Sequence, residues 1–284
     1  MQRLSELKSR IHNLTELGSV VGALRAVSAA RVQQAHAVLE SVRKYTAIIH
    51  EALGQACWGV PGPSSSTDVR QAASFVIVFG SEHGFVGAFN EHVLDIAMEQ
   101  RKPGDELLIV GTRAQLVASE RRIEAAWTCQ SATQVGGVDD VALRLAERLA
   151  LAGMRQRVDR VILIYTQLAD ASAALVVSEA LLPFDVHPYR ARPGTRPRAI
   201  SNLSPPLLLD GLIDELLFAQ LARAGTESFA SEHAARLATM QAATDNVTAK
   251  LGELARLEHE LRQEEITTEL LDVVTGAEAI SHPD

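Results

Sequence analysis

Apolar side chains recur at heptad spacing over the first fifty or so residues. Counting from Leu4, one core row holds Leu4, Ile11, Gly18, Arg25, Val32, Leu39, Thr46 and Leu53, and the other holds Leu7, Leu14, Val21, Ser28, Ala35, Val42 and Ile49. Eleven of these fifteen positions are apolar, which predicts a helix with a coiled-coil seam interrupted at Gly18, Arg25, Ser28 and Thr46. Such a helix would be about 75 Å long at roughly 1.5 Å per residue, so it needs a partner of similar length. The other end of the chain offers one. Leu237 and Leu251 mark one row, and Met240, Val247, Leu254 and Leu261 the other. Beyond them Ile266, Leu270, Val273 and Ala277 advance by one residue, as expected of a helix that straightens or leaves its partner there.

Prolines divide the chain in the same way. None precedes Pro61 and none lies between Pro206 and Pro283, so both ends can be uninterrupted helices. The stretch PGPSSST, Pro61 to Thr67, reads as a flexible link, and RARPGTRPRAISNLSPP, Arg190 to Pro206, as an extended basic connection. Between the ends the hydrophobic period changes. FVIVFG, ELLIVG and RVILIYT are short β-branched runs alternating with the helical patterns EHVLDIAMEQR and VDDVALRLAERLALAG, which is the signature of a parallel sheet. SAALVVSEALLPFD adds a further strand or two. The expected fold is α/β: an N-terminal coiled-coil helix over 1–58, a central Rossmann-like domain over 70–190, and a C-terminal coiled-coil helix over 207–280, the two helices pairing antiparallel.

Charge supports that pairing. Residues 1–50 carry seven Lys/Arg and three Asp/Glu, whereas 230–284 carry four and eleven. Opposite signs favour association of the two helices with each other over self-association. The net charge of −8 and isoelectric point near 5.6 argue against a basic coat for nucleic acid or anionic lipid, though they leave room for local basic patches. No apolar run is long enough to span a membrane, and MQRLSELKSR has no signal-peptide core, so the chain is expected to stay where it is made. Cys57 and Cys129 lie far apart outside any CxxC pattern and read as reduced, buried thiols.

Candidate chemistry is sparse. The first strand runs into GSEHGFVGAFN, Gly80 to Asn90, whose GxxxGxxG spacing matches neither the dinucleotide fingerprint nor a phosphate loop. It reads as a tight strand-to-helix turn, with Ser81, Glu82 and His83 as solvated loop residues. The nine histidines form no metal-binding spacing, and no metal or cofactor is expected. The segment ASEHAARLATMQAATDN, Ala230 to Asn246, is helical but fills its stripe with Ala and Thr where a self-sufficient core helix would carry Leu and Ile.

Those letters carry a resemblance. FASEHAARLATMQAATDN, LRQEEITTEL from Leu261 to Leu270, the ending VVTGAEAI, ELKSRIHNL near the start and SEHGFVGAFN together resemble the gamma subunit, or central stalk, of F-type ATP synthases over nearly the whole chain. The resemblance implies a non-catalytic rotor that transmits torque between a membrane ring of c subunits and a hexamer of alpha and beta subunits, coupling ion translocation to ATP synthesis or hydrolysis. It implies that epsilon and the c-ring meet the α/β domain, and that membrane contact runs only through partner subunits. It assigns contacts with the beta subunits to Arg262, Gln263, Thr267 and Glu269, and in second rank to Arg236 and Asp245. The apolar stretch Leu270 to Ile280 would form the bearing. Where many members read KITKAMEMVAASK, this chain reads SVVGALRAVSAAR, with Ser19 and Gly22 for lysines and Leu24 and Ala26 for methionines. These departures and those at Glu82, His83 and Ala88 mark a divergent or alternate-type member, with contacts near Leu24 altered. The implied location is the cytoplasmic face of a bacterial inner membrane. A small-molecule enzyme on the α/β domain and a static coiled-coil scaffold are the competing readings.

Overall fold

A computed structural model describes residues 2–57, 73–155, 157–170, 173–184 and 201–281. The Pro61 to Thr67 link lies outside these residues, as does the basic connection up to residue 200. The elements run α1 (Gln2–Ala56), β1 (Ala73–Phe79), α2 (Phe89–Gln100), β2 (Glu106–Val110), α3 (Thr112–Glu120), β3 (Trp127–Cys129), α4 (Val138–Arg155), β4 (Val158–Asp170), β5 (Ala173–Leu182) and α5 (Pro205–Ser281). SAALVVSEALLPFD supplies one strand, β5. The short α3 and β3 have no clear period in the sequence. They are too brief for one to develop.

Contacts divide the chain into two compact units, residues 28–236 and residues 1–27 with 237–284, so α1 and α5 each contribute to both.

The larger unit is built on a five-stranded sheet in the order β3-β2-β1-β4-β5. β1 pairs in parallel with β2 and β4, β2 pairs in parallel with β3, and β5 returns antiparallel along β4. Parallel strands covered on both faces must be apolar on both faces, which is why FVIVF and LLIV read as continuous runs. One face is covered by α2 and α3, whose Val93, Leu94, Ala97, Ala114 and Val117 meet Val76, Val78, Leu107 and Ile109. The other is covered by α4 and by parts of α1 and α5, where Ala35, Leu39, Leu145, Leu221 and Phe229 meet Phe75, Ile77, Phe79, Leu163 and Tyr165. Helix α4 buries Val138, Val141, Ala142, Leu145, Leu149 and Ala152, one stripe at helical spacing. A close approach fixes α5 here: a Cβ on Gly225 would meet Val138 Cγ1 at 2.9 Å and the Phe79 ring at 3.4 Å.

The smaller unit is an antiparallel helix pair. Gly18 of α1 lies against Val247 of α5, where a Cβ would meet Cγ1 at 3.2 Å, and Arg25 donates to the Gln241 side chain at 2.8 Å. As α1 advances, its partner position on α5 recedes at nearly the same rate. Gly18, polar-looking in the heptad count, is thus a place where the two backbones come close.

All fifteen heptad positions from Leu4 to Leu53 are buried or half-buried. The α5 seam likewise keeps its register of half-buried positions at Leu251, Leu254, Glu258, Leu261 and Glu265, whereas Ile266, Leu270 and Val273 are exposed. The one-residue advance of the apolar pattern therefore places these side chains off the seam. The pairing arithmetic also carries this last part of α5 past the described start of α1.

Candidate interaction site

Two regions hold the residues singled out by sequence, and they differ in kind. The first is the loop after β1 together with the ASEHAAR turns of α5. Sequence reading makes Ser81, Glu82 and His83 solvated; only His83 is exposed, while Ser81 is fully buried and Glu82 half-buried. The reason is the accounting of backbone polar groups that a tight strand-to-helix turn imposes. Asn90 Oδ1 accepts from the Ser81 amide at 2.9 Å and its Nδ2 donates to Ser81 Oγ at 2.8 Å, so a side chain of the first turn of α2 ties down the start of the loop. Phe85 and Gly87 adopt left-handed backbone, with φ of 62° and 60°. Gly80 is required for a different reason: a Cβ there would fall 2.2 Å from Ala114 Cβ.

The loop also caps α3. The N-cap, Gly111, offers no side chain, and Glu82 replaces it by accepting from the Thr112 amide at 3.1 Å and the Thr112 hydroxyl at 2.7 Å. The same carboxylate takes the Ser131 amide at 2.7 Å, and the Ser81 carbonyl accepts from Arg113 at 3.1 Å. A carboxylate at a helix N-terminus also complements the helix dipole.

The α5 side of this region is a buried ionic cluster. Arg236 donates to Glu232 Oε1 at 2.6 Å, to the His83 carbonyl at 3.1 Å, to the Gly84 carbonyl at 3.1 Å and to His233 Nδ1 at 3.0 Å. Glu232 Oε2 accepts from the Glu82 amide at 3.2 Å. The tripeptide Ser-Glu-His occurs twice, at 81–83 and 231–233, and the two copies meet here. Burial raises the Glu232 carboxyl above the ordinary carboxylate range, and the Arg236 guanidinium opposes that shift. Burial, then Arg236, hold His233 down at about 3, so its ring is neutral and its Nδ1 is the acceptor. Two further α5 hydroxyls reach the sheet: Ser228 donates to the Phe79 carbonyl at 3.2 Å and Ser231 to the Thr166 carbonyl at 2.9 Å.

The part of ASEHAARLATMQAATDN up to Arg236 is therefore packed within the larger unit. Arg236, put forward by resemblance as a contact for another subunit, is buried and spends its donors inside this chain. Sequence reading passed over Glu232 and His233 because charged residues mid-helix default to solvent. The available signal was the small residues around them, which let a helix lie close to a sheet.

The second region is the far part of α5, with its neighbours in the helix pair. Arg262, Gln263, Thr267 and Glu269 are all exposed on α5. Arg262 donates to Glu258 at 3.0 Å, and the Thr267 hydroxyl donates to the Gln263 carbonyl at 2.8 Å, so both contacts are local to the helix. Asp245 accepts from Gln241 at 3.0 Å, and Gln241 in turn accepts from Arg25. Leu24 is exposed on α1 alongside Leu17, Val20 and Val27. Ile266, Leu270, Leu271, Val273 and Val274 form an exposed apolar face beside the four polar candidates. The remainder of the expected bearing, from 275 onward, is described only as helix.

Of the two cysteines, Cys57 is buried and Cys129 half-buried, with burial pushing the Cys129 thiol up to about 11. Among the described residues no cluster suits a metal ion, and no helix is long and apolar enough to cross a membrane.

Residues 3–280 match the family model described as ATP synthase. The chain is 29% identical to the ATP synthase gamma chain of Chlorobium phaeobacteroides (strain BS1), over 99% of both chains. It is 30% identical to the ATP synthase gamma chain of Bacteroides fragilis (strain YCH46), over 98% of this chain and 100% of that one. Its fold is similar to a chain of the Euglena gracilis mitochondrial ATP synthase OSCP/F1/c-ring structure, with a TM-score of 0.67 at 16% identity over 98% of this chain and 95% of that one. A chain from the rotor structure of the same enzyme gives a TM-score of 0.65 at 14% identity, over 93% of this chain and 99% of that one.

Proposed function

Since the chain belongs to the ATP synthase family as a gamma chain, the central-stalk subunit of the F-type enzyme, we propose that it is the rotor that couples ion translocation to nucleotide chemistry without catalysing either. The observation that carries this reading is the exposed apolar face from Ile266 to Val274, lying beyond the seam and off its register. A contiguous apolar face of that kind marks a surface that a partner covers. The alpha–beta hexamer is that partner. Epsilon and the c-ring meet the α/β unit, and the chain is a peripheral subunit on the cytoplasmic face of a bacterial inner membrane.

A rotor must favour a different conformation in each beta subunit as it turns, because only differential contacts shift an equilibrium. Arg262, Gln263, Thr267 and Glu269 suit that role. They are polar, exposed and adjacent to the apolar face, so a beta-subunit loop can exchange their solvent hydrogen bonds for its own. Asp245 and Leu24, on the helix pair, are second candidates. Arg236 is left out of the contact set, since its donors are already committed.

Co-expression with the alpha and beta subunits of the same host, native mass spectrometry and an ATPase assay test the proposal. One copy per hexamer, with turnover that collapses in R262A/Q263A, supports both the stalk and the coupling residues. An intact complex indifferent to those substitutions removes the residue assignment alone. Failure to associate where alpha and beta themselves assemble refutes the rotor.

A further inference from the structure

Glu227 stands on the face of α5 that looks into the larger unit, one turn before Ser231. Its side chain is 2% exposed, and Oε1 lies 3.5 Å from the guanidinium of Arg43 on α1, itself 59% exposed. Oε2 is buried with no hydrogen-bond partner among the described residues. The charged and titratable groups facing this carboxyl are Arg43 from α1, Tyr165 from β4, Glu179 from β5 and Arg223 from α5, with His50 of α1 close to the last two.

The deeper cation is already committed. Arg223 donates to Glu179 at 2.5 Å and lies over the Tyr165 ring at 5.8 Å, while the Tyr165 hydroxyl donates to the same Glu179 oxygen at 3.0 Å. Glu227 is left with a mostly solvated arginine on one oxygen and nothing on the other. A buried carboxylate so poorly matched is costly, whereas a neutral carboxylic acid in the same place is not. Burial accordingly raises the Glu227 carboxyl above its ordinary range; Arg223 and then Arg43 oppose this, and Glu179 adds to it.

We propose that Glu227 is a proton-controlled release catch between α1 and α5. With the proton in place the two helices pack around a neutral group. Without it, a buried charge that feels an Arg223 already paired with Glu179 and has only the mostly exposed Arg43 as its hydrogen-bonding cation favours local separation of α1 from α5, because separation lets water reach the carboxylate. The sign follows from linkage: a carboxyl that binds its proton more tightly in the closed form makes the closed form less stable as pH rises. The inference stands on the packing of the larger unit and does not depend on the rotor reading.

The test is a carboxyl-carbon NMR titration of the full chain labelled at glutamate, for wild type, E227Q and R43A, with amide hydrogen exchange of α1 over residues 40–50 across the same pH range. One resonance, absent in E227Q, should titrate above the exposed glutamates, and R43A should move its midpoint higher still. Protection over 40–50, corrected for intrinsic exchange, should fall as pH rises across that midpoint in wild type and stay level in E227Q. A Glu227 resonance that titrates with the exposed glutamates, or that ignores R43A, overturns the catch. So does an E227Q chain that keeps the wild-type pH dependence. If E227Q does not fold, wild type and R43A decide alone, since Arg43 is mostly exposed and its removal identifies the resonance that moves.

Discussion

Replacing Arg236 with alanine isolates one buried charge. Arg236 and Glu232 have side chains 7% and 3% exposed, so neither can turn to bulk water when the other is lost. The R236A chain keeps a buried Glu232 without its cation and leaves the carbonyls of His83 and Gly84 short of a donor. Breaking a buried pair by deleting one partner costs about 3–5 kcal/mol, and the orphaned carbonyls belong within that range because they partly relax toward solvent. Removing both charges in R236M/E232L should cost much less, since apolar groups of similar volume satisfy the same space. R236K should fall between the two, because an ammonium cannot hold two carbonyls, a carboxylate and an imidazole at once. Urea denaturation of the full chain, followed by circular dichroism, reads these as shifts in midpoint at constant slope. The R236A deficit should also shrink toward acid pH, where the already raised Glu232 carboxyl takes up a proton and the orphaned charge disappears. A loss below about 1 kcal/mol for R236A, or a double variant as unstable as the single one, would refute the claim that this pair clamps the loop.

Three other expectations follow from packing and titration. G80A should destabilise by about 1–3 kcal/mol, because its Cβ would sit 2.2 Å from Ala114 Cβ, whereas G22A, with nothing within 4 Å in mid-helix, should stabilise by roughly 0.5–1 kcal/mol; thermal melts of both check the contrast. His233 has a folded value of about 3 against an ordinary 6.5, so it is protonated first in the unfolded chain and stability falls as pH drops below 6.5; H233Q should flatten that acid limb in a pH series of melts. Cys129 titrates near 11, so native protein at neutral pH should resist iodoacetamide at that thiol until urea exposes it, as peptide mapping would show.

The legible parts of the fold share one physical cause. The α1 register could be read across Gly18, Arg25, Ser28 and Thr46 because a seam needs a repeating spacing more than it needs an apolar residue at every step. The strands β1, β2 and β4 were legible because sheets covered on both faces leave no polar alternation. The opposite holds where polar residues are buried. Ser81 and Glu82 read as solvated loop in the sequence, and Glu232 and Arg236 as an exposed helix face, because their partners lie up to some 150 positions away, and no local pattern records a hydrogen bond across that separation. The candidate contacts at Arg262, Gln263, Thr267 and Glu269 came from resemblance alone. Their exposure follows from the helical period, which keeps the seam at Leu254, Glu258, Leu261 and Glu265 and leaves these four off it, but periodicity assigns them no role.

In open α/β sheets ligands settle in the crevice beyond the carboxyl ends of the strands, where the strand order reverses direction. Here that reversal falls between β1 and β4, and Phe79, the last residue of β1, and Thr166, just past the stretch of β4 that pairs with β1, present their carbonyls to Ser228 and Ser231. The seat that a nucleotide occupies in kindred architectures is taken by a stretch of the chain's own polypeptide. A domain built this way has exchanged a vacancy for an anchorage: what would have come and gone as a diffusing molecule is instead permanently tethered, and pulling on it means pulling on the sheet.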